Sequence, residues 1–256
     1  MLAQKLGLSL PTIKKVGGGA AFENLYSLLF DGSNYVQFTD KDVFTINDSG
    51  ANRGMTWSAW VKPNVDNKVI LSKDDGSKKE WKLRVGKGSR VEMVIYGNDS
   101  AGINQILVTD VVNLTNGSWH HVAVTFNLGS TSASILAFVD GVQYSLALGN
   151  STYTSAGTWS PSINTTAKMI LGDSSYVGDI DEVAIFDDAL HGAVIASIYN
   201  SGVPNDISGL DYLIGWWRNG DPTGAGAYPT IVDQSSNSND GTMTGMASGD
   251  ITTHVP

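Results

Sequence analysis

Residues 120–126 read His-His-Val-Ala-Val-Thr-Phe, and this stretch decides the fold class. In an extended strand successive side chains point to opposite faces, so Val122, Val124 and Phe126 share one face. Alternation with a period of two is typical of a strand, whereas an amphipathic helix repeats its apolar residues every three to four positions. The stretch therefore predicts a β-strand with its bulkier face against a core.

The same kind of pattern recurs along the chain from residue 26 onward, with Gly, Asn, Asp and Ser between the apolar runs. Such spacing predicts many short strands. Besides 120–126, the expected strands are 26–30, 35–39, 55–62, 68–72, 81–85, 90–96, 103–108, 135–139, 142–148, 168–171 and 177–186. Asp140-Gly141 lies between two of these runs and predicts a tight hairpin, because both residue types tolerate the positive φ of a primed turn.

One segment has helical rather than strand periodicity. Leu190, Val194 and Ile198 are spaced four apart within residues 188–200, and Gly202 follows as a stop signal. A dozen strands with one short helix predict an all-β protein made of two stacked antiparallel sheets.

Composition excludes several functional classes. The chain has 256 residues, no Cys, 29 Gly, 16% charged residues and a formal net charge of −9. Without Cys there are no disulfides, zinc-thiolate sites or thiol nucleophiles. The acidic balance argues against nucleic acid as a partner, because that binding rests on clustered Lys and Arg. No apolar run reaches the roughly 18 residues that a membrane span needs, so no membrane partner is expected.

The N-terminal 21 residues have a composition of their own. They contain scattered leucines and end in Val16-Gly-Gly-Gly-Ala-Ala21, which is typical of a flexible hinge. Lys5, Ser9 and Pro11 interrupt the apolar part, so we expect no cleaved secretory signal and a mature chain that starts at Met1. Residues 1–21 are then either a disordered tail or an arm that docks on a neighbouring subunit.

Five motifs in order resemble the laminin G-like, concanavalin A-like jelly-roll domains. They lie at residues 26–36, 55–63, 119–126, 138–141 and 177–186, the last reading Val-Gly-Asp-Ile-Asp-Glu-Val-Ala-Ile-Phe. The segment 189–202 is similar to the short helix that follows the last strand in those domains. The resemblance implies a concanavalin A-like (laminin G-like) jelly-roll β-sandwich over residues 22–256, with the arm and Gly hinge at 1–21.

The C-terminal segment 211–246 looks like the family's opening segment placed at the end of the chain. Leu213-Ile-Gly-Trp-Trp-Arg218 is followed by an Asp-, Asn- and Ser-rich loop at residues 233–240. It either begins a truncated second repeat or completes the same sandwich as in a circular permutation. We favour the second interpretation, because jelly-roll termini lie close together and an isolated hairpin would be unstable. Trp216 or Trp217 then fills the core.

The residues argue against an enzyme. Jelly-roll glycosidases of similar architecture carry Glu-x-Asp-x-x-Glu on one strand. Here Asp179 and Asp181 match the first two positions and share a face, but Ala184 stands where the second Glu belongs. Of the four His, His120 and His121 lie in a strand, and a structural role is expected for them rather than a place in a serine triad. A degraded lyase or hydrolase, which would still turn over polysaccharides, is an alternative hypothesis.

Calcium is the predicted cofactor, because members of this superfamily often hold Ca²⁺ at the sandwich rim. Calcium takes six to eight oxygen ligands. Oxygen-rich loops lie at residues 31–34, 40–42, 73–76, 173–175 and 233–240. Asp, Asn and Ser are equally the ordinary residues of turns, so each loop also has a purely structural interpretation. The predicted metal ligands are Asp31 and Asp181, whose motifs are adjacent in similar domains.

Ligand binding would use aromatic and polar side chains. Trp81, Tyr96, Trp159 and Tyr176 lie near polar residues, although large aromatics more often fill the core of a sandwich. Asp173 and Tyr176 occupy positions where pentraxin-like relatives place ligand contacts, and they are the predicted ligand-binding pair.

Two functional hypotheses follow. In its fold, its N-terminal arm and the ending of its chain, the sequence resembles structural proteins of marine tailed bacteriophages. This resemblance implies a virion location and a non-enzymatic role in decoration, fibres or adhesion. The predicted partners are other virion proteins or a second copy of the chain, together with a host-surface glycan. The alternative is a carbohydrate-binding module of a secreted or cell-surface bacterial protein, located outside the cell.

Overall fold

The computed structural model describes residues 22–46, 54–96, 104–128, 133–144, 146–148, 164–173, 175–220 and 228–256. The predicted arm at 1–21 and Trp159 lie outside the described residues. No helix within these ranges is long and apolar enough to span a membrane.

The described residues form seventeen strands and one α-helix. The strands are Ser27–Asp31 (β1), Tyr35–Phe38 (β2), Gly54–Pro63 (β3), Lys68–Asp74 (β4), Lys79–Gly86 (β5), Arg90–Tyr96 (β6), Asn104–Val108 (β7), His120–Leu128 (β8), Ala133–Val139 (β9), Val142–Tyr144 (β10), Ala147–Leu148 (β11), Met169–Leu171 (β12), Val177–Phe186 (β13), Leu213–Trp217 (β14), Thr230–Ile231 (β15), Gly241–Thr244 (β16) and Ile251–Thr252 (β17). The helix is Gly192–Tyr199 (α1), and single 3-10 turns lie at Asp42–Phe44, Asn200–Gly202 and Ser248–Asp250.

The strands form two antiparallel sheets. The eight-stranded sheet has the order β10-β9-β8-β3-β13-β1-β17, with β14 also paired to β13. The nine-stranded sheet has the order β11-β7-β6-β5-β4-β12-β2-β16-β15. This confirms the all-β sandwich. The Asp140-Gly141 hairpin between β9 and β10 is confirmed as well, with φ of 50° and 74°.

The core lies between the sheets and contains the face of β8 that the alternation predicted. Val122, Val124 and Phe126 are fully buried in it, and the Trp57 and Trp81 rings lie 5.1 Å apart. The opposite face of β8 is buried too, because α1 and the segment after it cover Ala123 and its neighbours with a second apolar cluster. The face of β8 toward the core therefore carries large apolar side chains, and the face toward α1 carries small or hydrogen-bonded ones.

The helix begins later than its periodicity predicted. The Thr56 hydroxyl donates to the Asp188 carbonyl oxygen at 2.7 Å and accepts from the Leu190 amide at 3.0 Å. These contacts fix residues 188–190 to β3. The helix starts after His191, whose Nδ1 caps the Ala193 amide at 3.2 Å, and it ends at Asn200 with a left-handed φ of 46°.

The C-terminal segment contributes strands to both sheets. β14 pairs with β13, β16 pairs with β2 and β17 pairs with β1. Of the two tryptophans, either of which the sequence offered for the core, Trp217 lies between the sheets, with its ring 4.6 Å from Phe38, and Trp216 is buried in the second apolar cluster. The Trp217 indole nitrogen donates to the Asn239 carbonyl oxygen at 2.8 Å, which satisfies the polar atom of a buried tryptophan.

The first described residues are held on the outer face of the eight-stranded sheet. Phe22 stacks on Trp216 with 6.3 Å between ring centroids, and the Arg218 guanidinium lies 4.2 Å from the Phe22 ring. Asn24 donates to the Asp181 carboxylate at 2.9 Å. The N-terminal edge of the sandwich is therefore fixed at Phe22.

Candidate functional site

A cavity opens at one end of the sandwich, between the segment that follows β2 and the loop that precedes β16. Its volume is about 200 Å³. Phe38 and Phe44 form its inner wall, and both are buried in the core. Its polar wall consists of Lys41 from one side and residues 238–240 from the other. The volume corresponds to roughly seven water molecules, which is the size of a small polar ligand.

The loop at residues 233–240 is held rigid by its own hydrogen bonds. One Asp233 carboxylate oxygen accepts from the Trp216 and Ser235 amides at 2.9 and 2.8 Å. The other oxygen accepts from the Asn239 amide at 2.9 Å and the Ser235 hydroxyl at 2.8 Å. Asn239 also donates to the Ile214 carbonyl oxygen at 2.6 Å. This wall of the cavity is thus preorganised.

Lys41 connects the two walls. Its ammonium donates to Asn239 Oδ1 at 2.5 Å and to the Ser238 carbonyl oxygen at 3.3 Å. An ammonium has three N–H donors, so one remains without a partner among the described residues. The neighbouring residue, Asp40, forms a salt bridge at 3.0 Å with the fully buried Lys73, which fixes the backbone that carries Lys41.

Asp240 supplies the opposite charge in the cavity. One carboxylate oxygen accepts from the Asp233 amide at 2.9 Å, and the side chain is otherwise exposed. Lys41 and Asp240 together present a donor and an acceptor on a small cavity. Neighbouring hydroxyl groups, each able to donate and to accept, suit such a pair.

The structure does not bring the predicted metal ligands Asp31 and Asp181 together. Asp31 pairs with Val177 on β13, four positions from Asp181, which is about 13 Å along a strand. Asp31 accepts from the Ser33 amide and hydroxyl, both at 2.8 Å. Asp181 is fully buried and accepts from Asn24 and from the Glu182 amide. Hydrogen bonds from the Ser33 amide and hydroxyl lower the pKa of Asp31, so its ionised form is already stabilised by protein donors.

The described residues contain no cluster of acidic side chains for calcium. No three His, Asp or Glu side chains in these ranges come together as metal ligands. In the loop at 233–240 the carboxylate of Asp233 accepts four hydrogen bonds from protein donors, and the Lys41 ammonium already contacts Asn239 Oδ1. The oxygens of this loop serve as turn formers, and calcium stays a prediction without an assigned site.

The predicted ligand-binding pair occupies two different environments. Asp173 caps its own turn by accepting from the Ser175 amide and hydroxyl at 3.1 and 2.7 Å. Tyr176 is fully buried, with its ring edge-on to Phe30 at 5.7 Å and its hydroxyl donating to the Asp179 carbonyl oxygen. Tyr176 is a core residue here and presents no surface to a ligand, because Phe30 and β13 enclose it. Trp81 is likewise fully buried, whereas Tyr96 lies on the outer face of the nine-stranded sheet.

Ser58 and His121 make a contact that looks catalytic but is structural. Ser58 Oγ and His121 Nε2 are 2.8 Å apart, yet both side chains are buried and no described carboxylate contacts the His121 ring. Asp140 accepts from the His121 amide and contacts the ring of His120 instead, at 2.9 and 2.8 Å. Burial lowers the pKa of His121 to about 4. Asp140 thus fixes the hairpin to β8, and the Ser58–His121 contact lies inside the protein.

The sequence did not predict that the residues of this cavity lie together. The loops at 40–42 and 233–240 were both recognised as oxygen-rich, but Lys41 between Asp40 and Asp42 was not. The signal in the sequence was Lys41, a cation between Asp40 and Asp42, together with the Asn- and Asp-rich loop at residues 233–240. What the sequence lacked was the pairing of β2 with β16, which places these loops side by side.

Comparisons with solved structures agree with this fold. A protein from Bacteroides ovatus that is proposed to bind carbohydrate superposes with a TM-score of 0.55 at 14% identity, covering 91% of this chain and 60% of that protein. This chain thus spans about three fifths of the length of that protein. A heptameric pentraxin from Limulus polyphemus gives 0.47 at 14% identity, covering 74% and 88% of the two chains. The sialidase module CBM40 of Ruminococcus gnavus gives 0.46 at 11% identity, covering 68% and 96%.

The likeness to the Bacteroides ovatus protein shows the fold alone. No curated protein matches the sequence. The family comparison goes further. Residues 30–196 match the profile of the laminin G-type family of the concanavalin A-like lectin/glucanases superfamily, which is more than half of the chain. The matched range runs from β1 into α1 and includes strands of both sheets, whereas β14 to β17 follow it. The protein therefore belongs to the concanavalin A-like lectin/glucanases superfamily.

Proposed function

We propose that the chain is a non-enzymatic carbohydrate-binding module that holds one sugar unit in the cavity between Lys41 and Asp240. The observation that carries the proposal is the pairing of a fixed ammonium with an exposed carboxylate on a cavity of about 200 Å³. Neighbouring hydroxyls of a pyranose can accept from Lys41 and donate to Asp240. The superfamily and the similarity to the Bacteroides ovatus protein support a sugar as the ligand.

A binding role suits the cavity better than glycoside hydrolysis. Retaining and inverting glycosidases both use two carboxyl groups across the scissile bond. Of the described side chains that line this cavity, Asp240 is the single acidic one. Asp179 and Asp181 lie on the other sheet, where they contact His254 and Asn24. We therefore expect binding without turnover, and measurable turnover on polysaccharides would contradict this part of the proposal.

The test is a glycan array followed by titration calorimetry with the sugar that binds. A hydrogen bond to a charged group contributes about 1.5–3 kcal/mol, so Lys41→Gln and Asp240→Asn should each weaken binding roughly 10- to 100-fold. Asp211→Asn is the matched control, because Asp211 is exposed outside the cavity. Equal affinity of the cavity variants and wild type, or no bound glycan on the array, would refute the proposal. Binding should persist in a chelator, because no metal is needed at the cavity.

A virion role stays a prediction, since fold and family do not specify what carries the chain. Under that hypothesis residues 1–21 attach the module, and the sandwich begins at the fixed residue Phe22. Particles that assemble normally with a chain lacking residues 1–21 would contradict the attachment role.

A further inference from the structure

Positive charge is concentrated in one part of this acidic chain. Residues 68–92 contain eight of the sixteen Lys and Arg residues but only four of the 25 acidic residues. This range therefore has a local excess of four positive charges in a chain of net charge −9. It coincides with β4, β5 and β6, which pair as three neighbouring strands of the nine-stranded sheet.

The register of these strands places the cations on the side of the sheet away from the core. Leu83 and Val85 of β5 face the core, so Lys82 and Arg84 between them face outward. Arg90 pairs with Gly86 and continues the same face. Lys79 lies over the Tyr96 ring at 5.7 Å, and Lys78 and Lys87 are exposed in the two turns. We call Lys78, Lys79, Lys82, Arg84, Lys87 and Arg90 the basic strip.

Only part of this charge is neutralised locally. Lys82 forms a salt bridge with Asp74 at 2.9 Å, and Arg84 forms one with Glu92. Within the described part of the chain, Lys78, Lys79, Lys87 and Arg90 form none. The strip thus has donors and charge available for an anionic ligand.

We propose that the basic strip binds an anionic polysaccharide, a linear chain that carries sulfate or carboxylate groups, along β5. The cations run from Lys79 to Lys87, about 26 Å of extended strand, which suits a linear polymer better than a compact ion. Nucleic acid fits less well. Among the described residues of β4, β5 and β6, Tyr96 is the one aromatic on the outer face, and Lys79 already lies over its ring, so unpaired bases have little surface on which to stack.

The test measures binding of immobilised wild-type protein to heparin, to polygalacturonate and to duplex DNA over a range of salt concentrations. Heparin or polygalacturonate should bind more tightly than DNA, and affinity should fall with salt. Each lost contact lowers the steepness of that dependence by about one counterion. Lys79→Gln/Lys87→Gln should therefore flatten it by about two and weaken binding by tenfold or more at low salt.

Lys62→Gln is the matched control, because Lys62 lies on β3 of the other sheet and its loss changes the net charge without touching the strip. No binding of either polysaccharide at low salt, tighter binding of DNA, or an equal loss in the Lys62 variant would overturn the proposal. The strip is independent of the cavity at Lys41. Asp240→Asn should leave polymer binding intact, so a failure of either proposal is recognised separately.

Discussion

At the scale of single residues, His121 makes the stability of the fold dependent on pH. Burial lowers its pKa to about 4, against roughly 6.5 in an unfolded chain. Between these two values the unfolded chain binds a proton that the folded chain does not. The free energy of unfolding should therefore decrease as the pH falls through this window, by about 3 kcal/mol in total, and recover above it. Urea unfolding at a series of pH values measures this.

Other groups also titrate at acid pH, so the His121 contribution needs a matched variant. His121→Gln keeps a polar atom near Ser58 Oγ and removes the titration. The difference in unfolding free energy between wild type and this variant should shrink or reverse as the pH drops toward 4. A difference that stays constant from pH 7 to pH 4 would show that His121 accepts a proton in the folded state.

At the scale of elements, β13 depends on a glycine. Gly178 has a φ of 135° and packs against β3, where a Cβ would overlap the Lys62 carbonyl oxygen and lie 2.9 Å from Pro63 Cα. Gly178→Ala combines backbone strain with a backbone clash and should lower the free energy of unfolding by roughly 2–5 kcal/mol. Gly209→Ala, where a Cβ meets nothing within 4 Å, should change it by less than about 0.5 kcal/mol. Equal unfolding midpoints for the two variants would disprove this account.

The elements were predictable from sequence and the site was not, for a physical reason. Alternation in β8 and the Asp140-Gly141 turn are local signals, because side-chain direction and positive φ depend on neighbouring residues. Lys41 and Asn239 are 198 positions apart and meet only through the pairing of β2 with β16. The oxygen-rich loops illustrate the same limit: their composition does not tell whether Asp233 faces a metal ion or, as here, the amides of its own turn.

At the scale of the whole molecule, the ends of the chain should contribute very unequally to stability. A chain that starts at residue 22 keeps the contacts of Phe22 with Trp216 and Arg218 and every described strand. Its free energy of unfolding should match that of the full chain to within about 0.5 kcal/mol. Guanidinium denaturation followed by tryptophan fluorescence measures it, and a clear loss of stability would mean that residues 1–21 pack on the sandwich.

A chain that ends at residue 210 should fail to fold cooperatively. It lacks β14, β16 and β17, so β13, β2 and β1 each lose a paired neighbour, and the space filled by the fully buried Trp217 is left empty beside Phe38 and Phe44. Removing one large buried aromatic costs about 3–5 kcal/mol, a large part of the stability of a typical domain, before the lost strand pairing is counted. Cooperative unfolding of residues 22–210 would instead favour the interpretation of 211–246 as the start of a second repeat, because the sandwich would then be complete without it.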